Sequence, residues 1–382
     1  MNASRTTQHS HVSPPPTPAP PWRRISVALV GCGAVATQYY APALRELERA
    51  GQVMVVALFD PAAERMAALR PLFTRAACVG DVNELGKWGA ELAIVASPPR
   101  FHAEQSIQLL QAGCAVLCEK PLATSVAEGE AMLAAADASQ RMLASGLVRR
   151  FFPAAQTLRS ILAQQGLGAV RSFSWQEGDY FRWPTQSAAF FRRTAAQGGV
   201  LLDIGVHVLD LLTWWWGPPV EIVFEDDAMG GVEANCRLRL SFAQGHSGEV
   251  RLSRDWPLAN RCTIQCEQGS LSWPLGEVDK VEIGFAGASY QLAGTAQPVA
   301  TDDLSARLGQ ASASFEQSFV NQLLNVMAAL QGGAELVASG AEALPSLRVI
   351  EHCYRRRQLM AMPWLSENER LQAQRLAAMA GG

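Results

Sequence analysis

From Ile25 onward, short uninterrupted apolar runs alternate with segments in which apolar residues recur every three or four positions. The runs Ile25–Val30, Val53–Phe59, Leu92–Ala96 and Ala115–Cys118 read as buried strands. The stretches Ala34–Ala50, Ala62–Leu72, Phe101–Ala112 and Val126–Ser139 read as the helices between them. That order predicts an α/β unit built on a doubly wound parallel sheet. After Arg150 the period changes to two. In Ala234-Asn-Cys-Arg-Leu-Arg-Leu-Ser-Phe242 every second residue is apolar, and Val170–Trp175, Glu249–Arg254, Cys262–Cys266 and Leu271–Trp273 look similar. Strands of this kind have one dry and one wet face, so a second α/β domain with an open, largely antiparallel sheet is expected. Phe315–Leu330 and Leu344–Arg357 return to helical period and should pack back on that sheet or on the first domain.

The pattern divides the chain into residues 1–24, 25–148 and 149–382. The first segment is polar and then proline-rich (Ser13 to Pro21), a composition that cannot bury enough surface to offset its ordering entropy. It reads as a disordered leader, with a docking arm for a neighbouring subunit as the alternative. The 382 residues suit two domains, and 49% apolar composition is enough for both cores. A formal charge of −3 gives no reason to expect nucleic acid or an anionic membrane as partner. The N-terminus has no apolar targeting region, and Val200–Trp216 is broken by Asp203, His207 and Asp210, so neither predicts a membrane span. The expected compartment is the cytoplasm. Eight cysteines, several inside apolar runs (Cys32, Cys114, Cys118, Cys236), read as buried thiols. Cys114/Cys118 and Cys262/Cys266 have CxxxC spacing, but the first pair straddles a strand whose period suits a core better than a tetrahedral site, and no metal is expected.

Four motifs carry candidate chemistry. The first strand runs into Gly31-Cys32-Gly33-Ala34-Val35-Ala36, a GxGxxA turn. In it Gly31 permits the tight bend, Gly33 lets a pyrophosphate approach the backbone, and Ala36 keeps the helix close to the sheet. The second strand ends at Asp60, placed for adenosine ribose hydroxyls. With no arginine directly after it, this acid favours NAD over NADP. At the carboxyl end of Leu92–Ala96, Ser97 and Pro98 are placed to line the nicotinamide end of a Rossmann site. His102, in the next helical turn, is either a cofactor contact or a packing residue. Third is Glu119-Lys120-Pro121. The chain has only three lysines, and an ammonium at a strand end could hold a reacting oxygen. Fourth is Asp203-Ile-Gly-Val-His207. On a helix these two share a face, and the imidazole is the natural acceptor of an alcohol proton as hydride leaves.

These motifs, in this order, resemble the Gfo/Idh/MocA family, the glucose–fructose oxidoreductase and inositol dehydrogenase group, from about Ile25 to Pro363. The resemblance implies a Rossmann domain that binds NAD, with NADP not excluded. It also implies hydride transfer to or from a sugar, nucleotide-sugar or polyol carbon, with Lys120, Asp203 and His207 as the catalytic group. Homodimers or homotetramers built through the open sheet are implied as well. Two features depart from the commoner pattern. Trp214-Trp215-Trp216 either stacks on a substrate or fills an interface. The segment Glu177 to Pro184 offers Tyr180, Arg182 and Trp183, alongside Arg150, as substrate contacts. Two other readings remain open: a redox-neutral sugar enzyme that retains NAD, and a non-catalytic dinucleotide sensor or scaffold.

Overall fold

The computed structural model describes residues 23–182, 184, 197–293, 314–361 and 365–380. Its first sheet holds β1 (Ile25–Val30), β2 (Val53–Phe59), β3 (Ala77–Val79), β4 (Leu92–Val95), β5 (Ala115–Glu119) and β6 (Leu143–Gly146). The strands lie in the order β3-β2-β1-β4-β5-β6, and all pairs are parallel. The order reverses between β1 and β4, and the carboxyl ends flanking that point form the crevice where open α/β sheets bind ligands. Helices α1 (Ala41–Arg49), α2 (Ala63–Leu69), α3 (His102–Gln111) and α4 (Val126–Ser139) connect the strands. The winding ahead of α1 is wider than α-helical over Ala36–Tyr40. It runs into Pro42, which has no N–H to donate to the ladder. Ser125 caps α4 by accepting from the Glu128 amide at 3.2 Å.

The second sheet contains β7 (Val170–Gly178), β8 (Glu221–Asp226), β9 (Asn235–Ser241), β10 (Ser247–Ser253), β11 (Arg261–Cys266), β12 (Gly269–Pro274), β13 (Lys280–Phe285), β14 (Ala288–Ala293) and β15 (Gln358–Leu359). Their order is β14-β13-β12-β11-β7-β10-β9-β8-β15, antiparallel except at β7/β10 and β8/β15. Its dry face, with Phe173, Trp175, Leu238, Val250, Ile264 and Trp273, packs on α5 (Pro153–Ala163) and α6 (Val206–Trp216). The other face carries Ser172, Ser174, Gln176, Arg237 and Arg239, exposed or half-buried, as the period of two predicts.

Helix α7 (Phe315–Leu330) returns to the first sheet, where Phe319, Leu323 and Met327 join Ile25 and Leu29 in one core cluster. Helix α8 (Gly340–Arg355) begins four residues before the expected Leu344, because Ser339 and Glu342 close a capping box there. It joins the two sheets: Leu344 and Leu347 pack with the first, Val349 and Ile350 with the second. Short elements escaped the hydrophobic pattern. β3 is three residues long, and β6 contains Ser145 and Gly146.

The tryptophan run lies inside this packing. Trp216 contacts Phe173, Phe242 and His246, and Trp215 contacts Trp175. Trp214 lies under the guanidinium groups of Arg150 and Arg159. All eight cysteines are free thiols, and six are buried. Burial first, then the Asp60 charge, pushes Cys32 up to about 12. Among the described residues no His/Cys/Asp/Glu cluster could hold a metal ion, and no helix is long and apolar enough to cross a membrane.

Candidate active site

A cleft of about 540 Å³ opens along the switch point of the first sheet and continues between it and the second. At one end lie Gly31, Gly33, Ala34, Val35 and Asp60; Ser97, Pro98, Glu119 and Lys120 follow; Asp179–Arg182, Asp203, His207 and Arg254 close the far end.

The glycine turn fits a dinucleotide. Gly31 has φ +86°, and a Cβ there would stand 2.5 Å from the Ser97 amide, so the β1 and β4 turns pack backbone to backbone. At Gly33 a Cβ would meet nothing within 4 Å, which leaves open space beside the helix N-terminus for a pyrophosphate. Asp60 accepts from the Cys32 amide through Oδ2 and from the Ala62 amide through Oδ1, each at 2.9 Å. Each oxygen keeps a further lone pair for a ribose hydroxyl. Arg65, five positions on, stands 3.7 Å from Oδ1 and lines the cleft too. No arginine directly follows Asp60, but the fold brings Arg65 to it from the first turn of α2. Cys32 and Ala36 are buried and shape the turn from behind.

His102 is also behind the wall. Its Nδ1 and Nε2 each lie 2.8 Å from a carbonyl, those of Pro121 and Ser97, so the ring is wedged between the two segments that border the nicotinamide end and, when neutral, donates to one of them. It is 1% exposed and does not line the cleft. Glu119 points back to Tyr40, whose hydroxyl donates at 2.6 Å and accepts from Gln322 at 3.0 Å. Burial raises the Glu119 pKa against the opposing pull of Tyr40 and Lys120.

At the far end the helix carrying Asp203 is widely wound over Leu201–Gly205 before becoming α6. Such insertions cluster at functional sites. Asp203 and His207 both face the cleft, but the carboxylate does not bond the imidazole as an i,i+4 pair. Instead Lys120 Nζ donates to Asp203 Oδ1 and to its carbonyl, each at 2.9 Å, and Arg254 Nη2 stands 3.0 Å from Oδ2. Burial pushes the Asp203 pKa up, but the two cations outweigh it and hold it below the usual carboxylate value. His207 Nδ1 is buried and has no partner among the described residues. Burial, then the Lys120 and Arg149 cations, hold its pKa well below 6.5, so the ring is neutral at pH 7. Arg149 is held by Glu177 at 2.5 and 2.9 Å, and Trp175 Nε1 donates to the same carboxylate at 3.1 Å.

Comparison with known proteins agrees with this arrangement. Residues 25–147 match the GFO/IDH/MocA oxidoreductase family with its NAD-binding Rossmann fold, and residues 155–272 match the GFO/IDH/MocA C-terminal domain. The chain belongs to the Gfo/Idh/MocA family. It is thus an NAD(P)-dependent oxidoreductase with a Rossmann domain. It is 30% identical over 250 residues to the trans-1,2-dihydrobenzene-1,2-diol dehydrogenase of Sus scrofa, covering 63% of this chain and 71% of that protein. It is 26% identical over 340 residues to the rhizopine catabolism protein MocA of Rhizobium meliloti, covering 86% and 93%. A levoglucosan dehydrogenase solved with NADH and levoglucosan shares the fold at TM-score 0.75 and 18% identity, over 88% of this chain and 98% of that one.

Of the substrate contacts expected from sequence, Tyr180 and Arg182 line the cleft, and Trp183 falls outside the described residues. Arg150 does not reach it. Only 2% exposed, its guanidinium grips Asp210 at 2.8–3.2 Å and the Val337 carbonyl at 2.9 Å. Its neighbour Arg149 is the one nearer the chemistry, and sequence offered no reason to prefer it. Arg254 was missed because it ends an alternating strand like any surface arginine. Glu233 was missed because it lies in a connecting segment. Its Oε1 accepts from the Gly199 and Leu201 amides at 2.9 and 3.0 Å and from the Tyr354 hydroxyl at 2.8 Å, anchoring the start of the His207 helix.

Proposed function

We propose that this protein transfers a hydride between nicotinamide and a hydroxyl-bearing carbon of a sugar, nucleotide-sugar or polyol. The observation that carries the reading is the convergence of Lys120, Asp203 and a neutral, unpaired His207 on the cleft that the glycine turn opens into. Bound nicotinamide supplies the hydride acceptor or donor. The chain does the rest. Lys120 spends two of its three N–H donors on Asp203, and the third is available to the reacting oxygen. That contact stabilises charge on the oxygen as the C–H bond weakens. His207 takes the hydroxyl proton in the oxidative direction and returns it in the reductive one. Burial and the cations that keep the ring neutral also disfavour the imidazolium, so the proton is released from the ring to solvent in the cleft after oxidation and drawn from solvent for reduction. Tyr180 and Arg182 are the cleft-facing groups placed to read the substrate beyond the reacting carbon. The polar outer face of the second sheet is the surface through which copies of the chain would pair.

The test is binding of NAD(H) and NADP(H) by calorimetry, followed by a polyol, sugar and nucleotide-sugar panel read by nicotinamide absorbance. Micromolar binding with turnover on one of them supports the reading. Cofactor that stays bound while a glycoside is cleaved would favour the redox-neutral enzyme. Binding without turnover anywhere would favour the sensor.

A further inference from the structure

We infer that Arg254 is a positioning residue that fixes Asp203 so that Lys120 can present its free N–H to the reacting oxygen. The inference rests on the proposed hydride transfer. Arg254 follows β10, is 7% exposed, and brings one nitrogen, Nη2, to two points of the His207 helix: the Gly199 carbonyl and Asp203 Oδ2, each at 3.0 Å. Lys120 holds the other carboxylate oxygen and the carbonyl of the same residue. The carboxylate is therefore clamped between a cation from the first sheet and one from the second. Neither cation could hold its rotamer alone, because a single contact to one oxygen leaves the group free to turn.

The same guanidinium lies over the ring of Phe181, 5.8 Å from its centroid, and Phe181 lines the cleft. Arg254 thus joins three walls of the site: the Asp179–Arg182 segment, the His207 helix and the end of β10. The charged groups facing Asp203 are Lys120 from the end of β5, Arg254 from the end of β10 and Arg149 from the turn before α5, with His207 one turn along the helix. Removing Arg254 leaves a half-buried carboxylate with one direct cation in place of two. The carboxyl then ionises less readily, and its neutral form gives Lys120 a poorer acceptor.

The experiment compares wild type with Arg254→Gln and Arg254→Lys, using whichever polyol the wild type turns over. Arg254→Gln is expected to lower kcat about ten- to a hundredfold. The acid limb of its kcat profile should move up by about one pH unit, while NADH affinity stays within about twofold. Arg254→Lys, keeping the charge, should recover most of both. A merely structural role would lower thermal stability and leave the profile of the folded fraction in place, and that result overturns the inference. Carbon-13 titration of the Asp203 carboxyl needs no substrate: a midpoint raised in Arg254→Gln supports the clamp, and an unmoved midpoint refutes it. Absence of wild-type turnover would sink the proposed reaction without touching that second readout.

Discussion

Replacing Arg150 with Met should cost stability and leave the chemistry intact. The guanidinium is enclosed by Asp210, which is 1% exposed, by the Val337 carbonyl and by the Glu342 carboxylate at 3.1 Å, with Trp214 beneath it. It pins the turn before α5 to α6 and to the approach of α8. Removing it strands a buried carboxylate, a change that costs ~3–5 kcal/mol. At ~2–4 °C per kcal/mol for a domain of this size, the thermal midpoint should fall by roughly 6–20 °C. The loss should vary with pH. Burial already raises the Asp210 pKa against the pull of Arg150, and without that pull it rises further above the unfolded value. The deficit is therefore full at pH 8 and shrinks as pH falls and Asp210 takes up a proton. Urea denaturation at pH 8 and pH 5, with Asp210→Asn added to Arg150→Met, is the assay. The double variant should regain at least half of the loss. Strictly additive single costs, or a loss under about 1 kcal/mol, would refute the buried-pair reasoning. A tenfold rise in substrate KM at unchanged stability would place Arg150 in the site after all.

Gly33→Val should weaken NADH binding at least about tenfold, since it fills the open space beside the turn, with little change in thermal midpoint; calorimetry and differential scanning fluorimetry check both halves. Because His207 is held neutral, its proton-accepting form persists below pH 6.5 and is lost only as pH falls through its depressed folded value, while its effect on stability sets in near pH 6.5, where the unfolded chain takes up the proton, and grows until that folded value is reached. The kcat/KM profile for alcohol oxidation should accordingly show no acid limb near pH 6.5, and a limb there would contradict the assigned environment. Arg65→Ala should weaken NADPH more than NADH, because the guanidinium beside Asp60 is the group in reach of a 2′-phosphate; equal losses for both cofactors would refute that role.

The first sheet was legible because its strands are buried on both faces and read as apolar runs. Ile25–Val30, Val53–Phe59 and Val126–Ser139 have the same ends in sequence and structure. β6 was not legible, since Ser145 is buried through tertiary packing that no local pattern reports. In the site, Lys120, Asp203 and His207 were visible as residue types at strand and helix ends. Their pairing was not. Spacing placed Asp203 with His207, whereas the fold joins Asp203 to Lys120 and to Arg254, 51 positions away on another sheet. Arg149 and Arg150 are adjacent in sequence and differ only in which way the turn points them.

The central claim, that His207 moves the substrate proton while hydride passes to or from nicotinamide, is tested most directly by single-turnover absorbance at 340 nm. Wild type and His207→Asn would be saturated with cofactor and mixed with the identified substrate. The account predicts NADH affinity within about twofold and a hydride-transfer rate lower by about 10²–10⁴ in the variant. A variant that transfers hydride at the wild-type rate across pH 6–9 would contradict it.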